Sequence, residues 1–171
     1  MPDITYNIAL NLIHYPFKEP KMPAGPPEKI TPKSLNDYLE IMSKSVFQSG
    51  MSWRVIESKW PETREAFRGF DIHTVANFNE KDIEDLTKDT RVVRNYRKLM
   101  AIVSNARKML ELDKAHGSFQ QYLRSHGNFD ATLNAIRKDF KFMGPTGIYI
   151  FLYVVGEEVI PHEEFEKRYR K

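Results

Sequence analysis

Seven of the ten prolines in this chain lie at positions 2, 16, 20, 23, 26, 27 and 32. Each proline locks φ and removes a backbone donor, so a stretch interrupted this often can neither run as a long helix nor sit inside a sheet. Residues 1–30 are therefore expected to form an extended, proline-rich arm laid over a folded body. The other prolines, Pro61, Pro145 and Pro161, are far apart, which leaves residues 31–171 free to fold as one domain.

Beyond the arm the chain reads as helix after helix. Thr31-Pro32 is an N-cap and first-turn pair, and the helix it opens runs to about Gln48, with Gly50 past its end. A short helix follows Ser52, and Trp60-Pro61 starts another that stops at Gly69. Asp71 and Asn79 cap two further short helices. Val92, Tyr96, Leu99, Val103, Ala106 and Leu110 recur at three- and four-residue steps and predict one apolar helical face. Gly117 ends that helix, Ser118 caps the next, and Asp130 caps the one after. The last helix is the apolar run Ile148–Val155, entered through Gly144-Pro145. No stretch alternates as a half-buried strand would, so the reading is an all-α domain of about eight or nine short helices.

Composition excludes several classes of function. The 171 residues are 41% hydrophobic and 29% charged, the balance of an ordinary globule with a core of its own. No run of eighteen apolar residues offers a membrane span, and the N-terminus lacks the basic and apolar regions of a signal peptide. The chain has no cysteine, hence no disulfide framework and no thiolate chemistry, which fits a cytoplasmic protein. Nothing asks for a cofactor or a second copy, and a monomer is expected. The net charge of +3 permits a polyanionic partner without requiring one.

Charge is unevenly placed. Arg91, Arg94, Arg97, Lys98, Arg107 and Lys108 fall between Thr90 and Leu110, where there is no acid. Arg137, Lys138 and Lys141 form a second basic cluster just before Gly144. These residues are either a solvated outer face or an electrostatic footprint for phosphates. The segment Met143-Gly144-Pro145-Thr146-Gly147 sharpens the question. A helix N-terminus presents unpaired amides and the positive end of the helix dipole, and a glycine turn before it lets a phosphate approach. Thr146 can cap or donate to a phosphate oxygen. The alternative is a tight interhelical turn with no ligand.

The stretch FKFMGPTGIYIFLYVVG (140–156) resembles the hairpin of helix-hairpin-helix DNA glycosylases. With YLEIMSKSVFQSGMSW (38–53), EAFRGFD (65–71) and RVVRNYRKLMAIVSNAR (91–107) in the same order, the chain resembles the bacterial DNA-3-methyladenine glycosylase I family. That resemblance implies a helical bundle that binds double-stranded DNA carrying a damaged base. It implies flipping of that base into an aromatic pocket and hydrolysis of its N-glycosidic bond, by a monofunctional enzyme without a lyase lysine. It assigns the base pocket to Trp53; Gln48, Ser52 and Ser45 are the polar candidates near it in sequence, and the basic clusters and glycine turn make Lys141, Gly144, Thr146, Gly147, Arg94 and Lys98 the expected DNA contacts. A cytoplasmic location, on the nucleoid in a bacterium or archaeon, follows from that role.

The departures matter as much. Ser45 stands where family members carry a glutamate, and a neutral hydroxyl accepts weakly from a cationic base. The family's structural zinc, held by cysteines and histidines, cannot be built without cysteine, so no metal is expected. Other branches of the superfamily place an acid downstream of the hairpin, which makes Glu163 and Glu164 candidate catalytic carboxylates to activate water or stabilise the sugar cation. The polar segment HEEFEKRYRK also reads as a solvated tail. Two alternatives therefore stand beside the glycosylase: a DNA-binding relative with an impaired pocket, and a helical interaction scaffold that keeps only the fold.

Overall fold

The computed structural model describes residues 26–169, apart from the Trp53 side chain. Residues 1–25, most of the expected arm, lie outside the described residues. Of the remainder of the arm, residues 26–30 are irregular, and Ile30 N–H donates to Val154 O (2.7 Å).

Nine α-helices make up the described chain, with no strand among the described residues. They are α1 (Leu35–Gln48), α2 (Trp53–Ala66), α3 (Ile72–Ala76), α4 (Glu80–Lys88), α5 (Tyr96–His116), α6 (Phe119–Arg124), α7 (Phe129–Asp139), α8 (Pro145–Val154) and α9 (His162–Tyr169). A single 3₁₀ turn, Arg68–Phe70, links α2 to α3. The all-α expectation holds.

Short polar caps set most of the helix starts. Asp71 accepts from Thr74 N–H (2.8 Å), and Asn79 and Asp82 bond each other's backbone at 3.1 and 2.8 Å. Ser118 accepts from Gln121 N–H (3.1 Å). Gly117 ends α5 at φ +82, a left-handed conformation that favours glycine.

Four expectations are corrected. The first helix begins at Leu35 after Ser34, not at Pro32, because the Asp37 carboxylate binds Ser34 and Lys33 N–H there. Trp60-Pro61 does not start a helix. α2 runs straight through Pro61, carried by the buried Ile56, Trp60 and Thr63 on one face. Asn128, not Asp130, caps α7. The tail is a helix, α9, held by Phe165, which is 2% exposed.

α5 is the central helix, packed against α1, α3, α4 and α6. Contact on several sides buries Ala101, Ile102 and Met109 as well as Leu99, Val103 and Ala106, while Tyr96 stays 45% exposed. The single stripe read from the sequence was thus too narrow and started too early. One aromatic cluster joins α1 to α2: Phe47 of α1 meets Trp60 and Phe67 edge-on at 6.2 and 6.1 Å, and both of these stack on Phe70, with centroids 5.4 and 5.1 Å away. A second joins α1 to α6 and the α7–α8 hairpin through Tyr38, Phe119, Tyr122 and Phe140. Offset and edge contacts of this kind hold short helices that propensity alone would not.

Candidate nucleic-acid interface and base pocket

Two loops carry the residues singled out above. The first joins α1 to α2. Gly50 takes φ +73, which lets the chain turn within a few residues, and Met51 N–H returns to Gln48 O (3.1 Å). Ser52 is the residue before α2, and its carbonyl accepts from Ile56 N–H. Trp53 is the first residue of α2, so its backbone stands at a helix N-terminus. Met51 and Val55 leave 36% and 40% of their surface exposed beside it.

Ser45 and Gln48 lie on the last turns of α1. Ser45 is 4% exposed and its hydroxyl donates back to Ile41 O (3.4 Å). Gln48 has a buried side-chain amide nitrogen with no acceptor among the described residues. An amide donor kept from water without a partner is costly.

The second loop is the hairpin between α7 and α8. Asn105, 1% exposed on α5, grips its backbone in both directions. Lys141 N–H donates to Asn105 Oδ1 (2.7 Å), and Asn105 Nδ2 donates to Lys141 O (3.1 Å). The Lys141 side chain remains exposed, and Phe142 follows at φ +54 with 41% exposure. A bulky residue in the left-handed region is unusual, and here it turns an aromatic ring outward beside a lysine.

Gly144 is the N-cap of α8. Pro145 has no N–H and Ile148 N–H already bonds Gly144 O (2.9 Å), which leaves the Thr146 and Gly147 amides at the free end of the dipole. Thr146 is exposed, and nothing lies within 4 Å of a Cβ built on Gly144. Gly147 faces α1. Its Cβ would meet Ser45 Cβ at 3.6 Å, so it marks where α8 crosses α1.

The basic run is mostly consumed within the fold. Arg91 pairs with Asp89 at 2.7 Å. Arg107 bonds the carbonyls of Ala76 and Phe78 beyond α3, and Lys108 binds Glu111. Lys98 is corrected outright: it is 5% exposed, and its ammonium donates to Phe47 O (3.1 Å) and Ser49 O at the end of α1. Burial pushes it below the ordinary lysine range. Arg94 and Arg97 are left exposed, with no ion pair among the described residues.

Glu163 and Glu164 are not brought to this cluster. Their helix α9 packs on Phe129 and on Tyr149, whose ring lies 4.3 Å from Phe165. Tyr149 is two residues, about 200°, round α8 from Gly147, so α9 covers the face of α8 opposite Ser45. Glu164 is also held by Arg168, which pairs with Asp130 at 2.8 Å. Among the described residues no group of three or more His, Asp or Glu could hold a metal ion. Two open clefts, of about 540 and 700 Å³, lie at Trp60–Arg64 and at Arg124–Glu157, and neither is lined by Ser45, Gln48 or Ser52.

A sequence profile described as methyladenine glycosylase matches residues 31–139. The chain belongs to the methyladenine glycosylase family. Within that family it is 30% identical over 130 residues to DNA-3-methyladenine glycosylase 1 of Escherichia coli strain K12, covering 64% of this chain and 70% of that one. The Haemophilus influenzae (strain ATCC 51907 / DSM 11121 / KW20 / Rd) DNA-3-methyladenine glycosylase is 27% identical over the same shares. Among solved structures, a tyrosine-to-phenylalanine variant of 3-methyladenine DNA glycosylase I in complex with 3-methyladenine superposes with a TM-score of 0.68. It is 25% identical and spans 75% of this chain and 81% of its own. The Staphylococcus aureus structure solved to explain 3-methyladenine recognition gives 0.67, at 25% identity over 75% and 80%.

The family match covers the α1–α2 loop and all of α5, and ends one residue before the hairpin begins at Phe140. The residue that sequence reasoning passed over is Asn105. Its one signal was an amide among the buried positions of α5, which otherwise hold apolar residues and Lys98.

Proposed function

We propose that this protein is a DNA glycosylase that excises an alkylated base such as 3-methyladenine from double-stranded DNA, acting as a monomer. The observation that carries the reading is the placement of an anion-ready helix end and a loop with an unsatisfied buried amide against one helix, α5, in a member of the methyladenine glycosylase family. The Thr146 and Gly147 amides and Lys141 take a backbone phosphate; Arg94 and Arg97 take others. The flipped base lies against the α1–α2 loop, stacked on Trp53, with the Gln48 amide donating to its edge.

An N3-alkylated adenine is already cationic. As its C1′–N9 bond breaks, the electron pair neutralises the base, and water adds to C1′ with loss of a proton. Such a leaving group needs little acid catalysis, so the site supplies orientation of the base and of the attacking water rather than a strong acid. This fits a pocket in which Ser45 is neutral and Glu163 and Glu164 sit on a helix packed against the opposite face of α8.

The test is incubation with methylated duplex and chromatography of released bases, with Trp53→Ala as control. Release of 3-methyladenine that the control abolishes supports the reading, with undamaged-duplex binding retained in the variant. Binding without release of any base would favour an impaired DNA-binding relative, the reading that Ser45, turned back onto its own helix, suggests. Absence of salt-sensitive duplex binding would refute both.

A further inference from the structure

We propose that Lys98 and Asn105 are positioning residues that together set the distance between the base pocket and the phosphate-binding hairpin. The inference rests on the glycosylase reading for what those two loops do. Its physical basis is independent of that reading.

The two side chains are seven residues apart on α5. Seven residues are two helical turns to within about 20°, and advance about 10.5 Å along the axis. Both are therefore on one face, with Ala101 and Ile102 buried between them. Each reaches into a loop rather than into the core. Lys98 holds Phe47 O and Ser49 O at the mouth of the α1–α2 loop. Asn105 holds the N–H and C=O of Lys141 in the hairpin.

A polar group on a buried helix face is unfavourable unless its partners are met. Lys98 is the harder case, since a cation in the first turn of its own helix opposes that helix's dipole. What offsets this is the carbonyl end of α1, where the dipole and the unpaired C=O groups both favour a cation. An apolar residue would fill either site at less electrostatic cost, but it would bond neither loop. The α5 backbone thus acts as a rigid ruler, and the two side chains transmit its length to the backbone of each loop. A flipped nucleotide needs its base and its flanking phosphate held at a fixed separation, and α5 adds one polar tie to each loop beyond the direct packing of α8 on α1.

The experiment compares Lys98→Met and Asn105→Ala with wild type in three measurements. These are amide hydrogen exchange at residues 48–53 and 141–147, affinity for undamaged duplex, and single-turnover base release from methylated duplex at saturating enzyme. Loss of the two buried hydrogen bonds predicts about a tenfold change in each affected quantity. Asn105→Ala should speed exchange only at 141–147 and weaken duplex binding, with saturated release within about twofold. Lys98→Met should speed exchange only at 48–53 and slow release, with duplex affinity within about twofold.

Asn105→Asp, which still accepts from Lys141 N–H but cannot donate to its carbonyl, and Lys98→Arg, which keeps the charge, should fall between. They carry the test if either first variant fails to fold. Exchange that rises at both loops in each variant, or binding and release lost in equal ratio as Tm falls, would overturn the proposal. A wild type that neither binds duplex nor releases a base would overturn the glycosylase reading, and the exchange pattern alone would then decide the ruler.

Discussion

Replacing Gly147 with alanine separates two settings for the third position of α8, a phosphate or the α1 surface. If the residue is small so that a phosphate can touch the helix end, a methyl there should weaken DNA binding. The structure instead sets that position against α1, with room for a methyl. A Cβ on Gly147 falls 3.6 Å from Ser45 Cβ and 3.9 Å from Ser45 O, ordinary van der Waals contact that neither helix need move to accept. Alanine is favoured over glycine by about 1 kcal/mol within a helix, and by about half of that near its end. For a chain of this size that corresponds to a rise in Tm of about 1–3 °C. Gly147→Ala should show this rise by calorimetry, with duplex affinity within about twofold, because the amide itself is kept. Gly147→Leu adds branches that the α1–α8 crossing cannot hold and should cost about 1–3 kcal/mol. If Gly147→Ala loses tenfold in duplex affinity at unchanged Tm, the phosphate does sit on that face and the packing argument fails.

Gly144→Ala is the complementary change. Nothing lies within 4 Å of its Cβ and its φ is −82, so Tm should stay within about 1 °C while a methyl at the helix mouth weakens binding to every duplex alike; a variant that binds normally would remove the phosphate from this helix end. Glu163→Gln and Glu164→Gln should each retain base release within about twofold in single-turnover assays, since α9 packs on the far side of α8; a loss of a hundredfold or more would restore the carboxylates to the mechanism. Burial holds the His126 imidazole below its ordinary range, against a smaller raising effect from Asp139. The unfolded chain then binds the extra proton first, so stability is full above about pH 6.5 and falls as pH drops from there toward the folded pKa. His126→Phe, which keeps a ring against Tyr122, should flatten the Tm profile between pH 7 and 5, and an unchanged slope would refute that assignment.

Local chemistry made much of the architecture legible in advance. The caps Asp71, Asn79 and Ser118, the stop at Gly117 and the entry at Gly144-Pro145 act within one helical turn, so the residue types that make them can be read from neighbours alone. The order of the motifs was enough to suggest the family. Where long-range packing outweighed local preference, reading failed. Pro61 stays inside α2 because Trp60 stacks on Phe70. The polar tail becomes α9 because Phe165 and Tyr169 find Phe129 and Tyr149 across the fold.

The site divides in the same way. The sequence by itself identified Gly144 and Thr146 at an anion-ready helix end, and Ser45, Gln48, Ser52 and Trp53 as neighbours along the chain. It could not say which of nine nearby basic residues remain free, because ion pairs and carbonyl contacts are made by groups distant in sequence. Only the tertiary structure turned Lys98 inward onto α1, tied Arg107 to α3 and left Arg94 and Arg97 outside. It alone brought Asn105 to Lys141, thirty-six residues away, and placed Glu163 and Glu164 on the wrong face of α8. Helices can be specified by patterns a few residues long, whereas the spacing of the two loops depends on long-range packing, in which α8 crosses α1 directly and α5 ties one side chain to each loop.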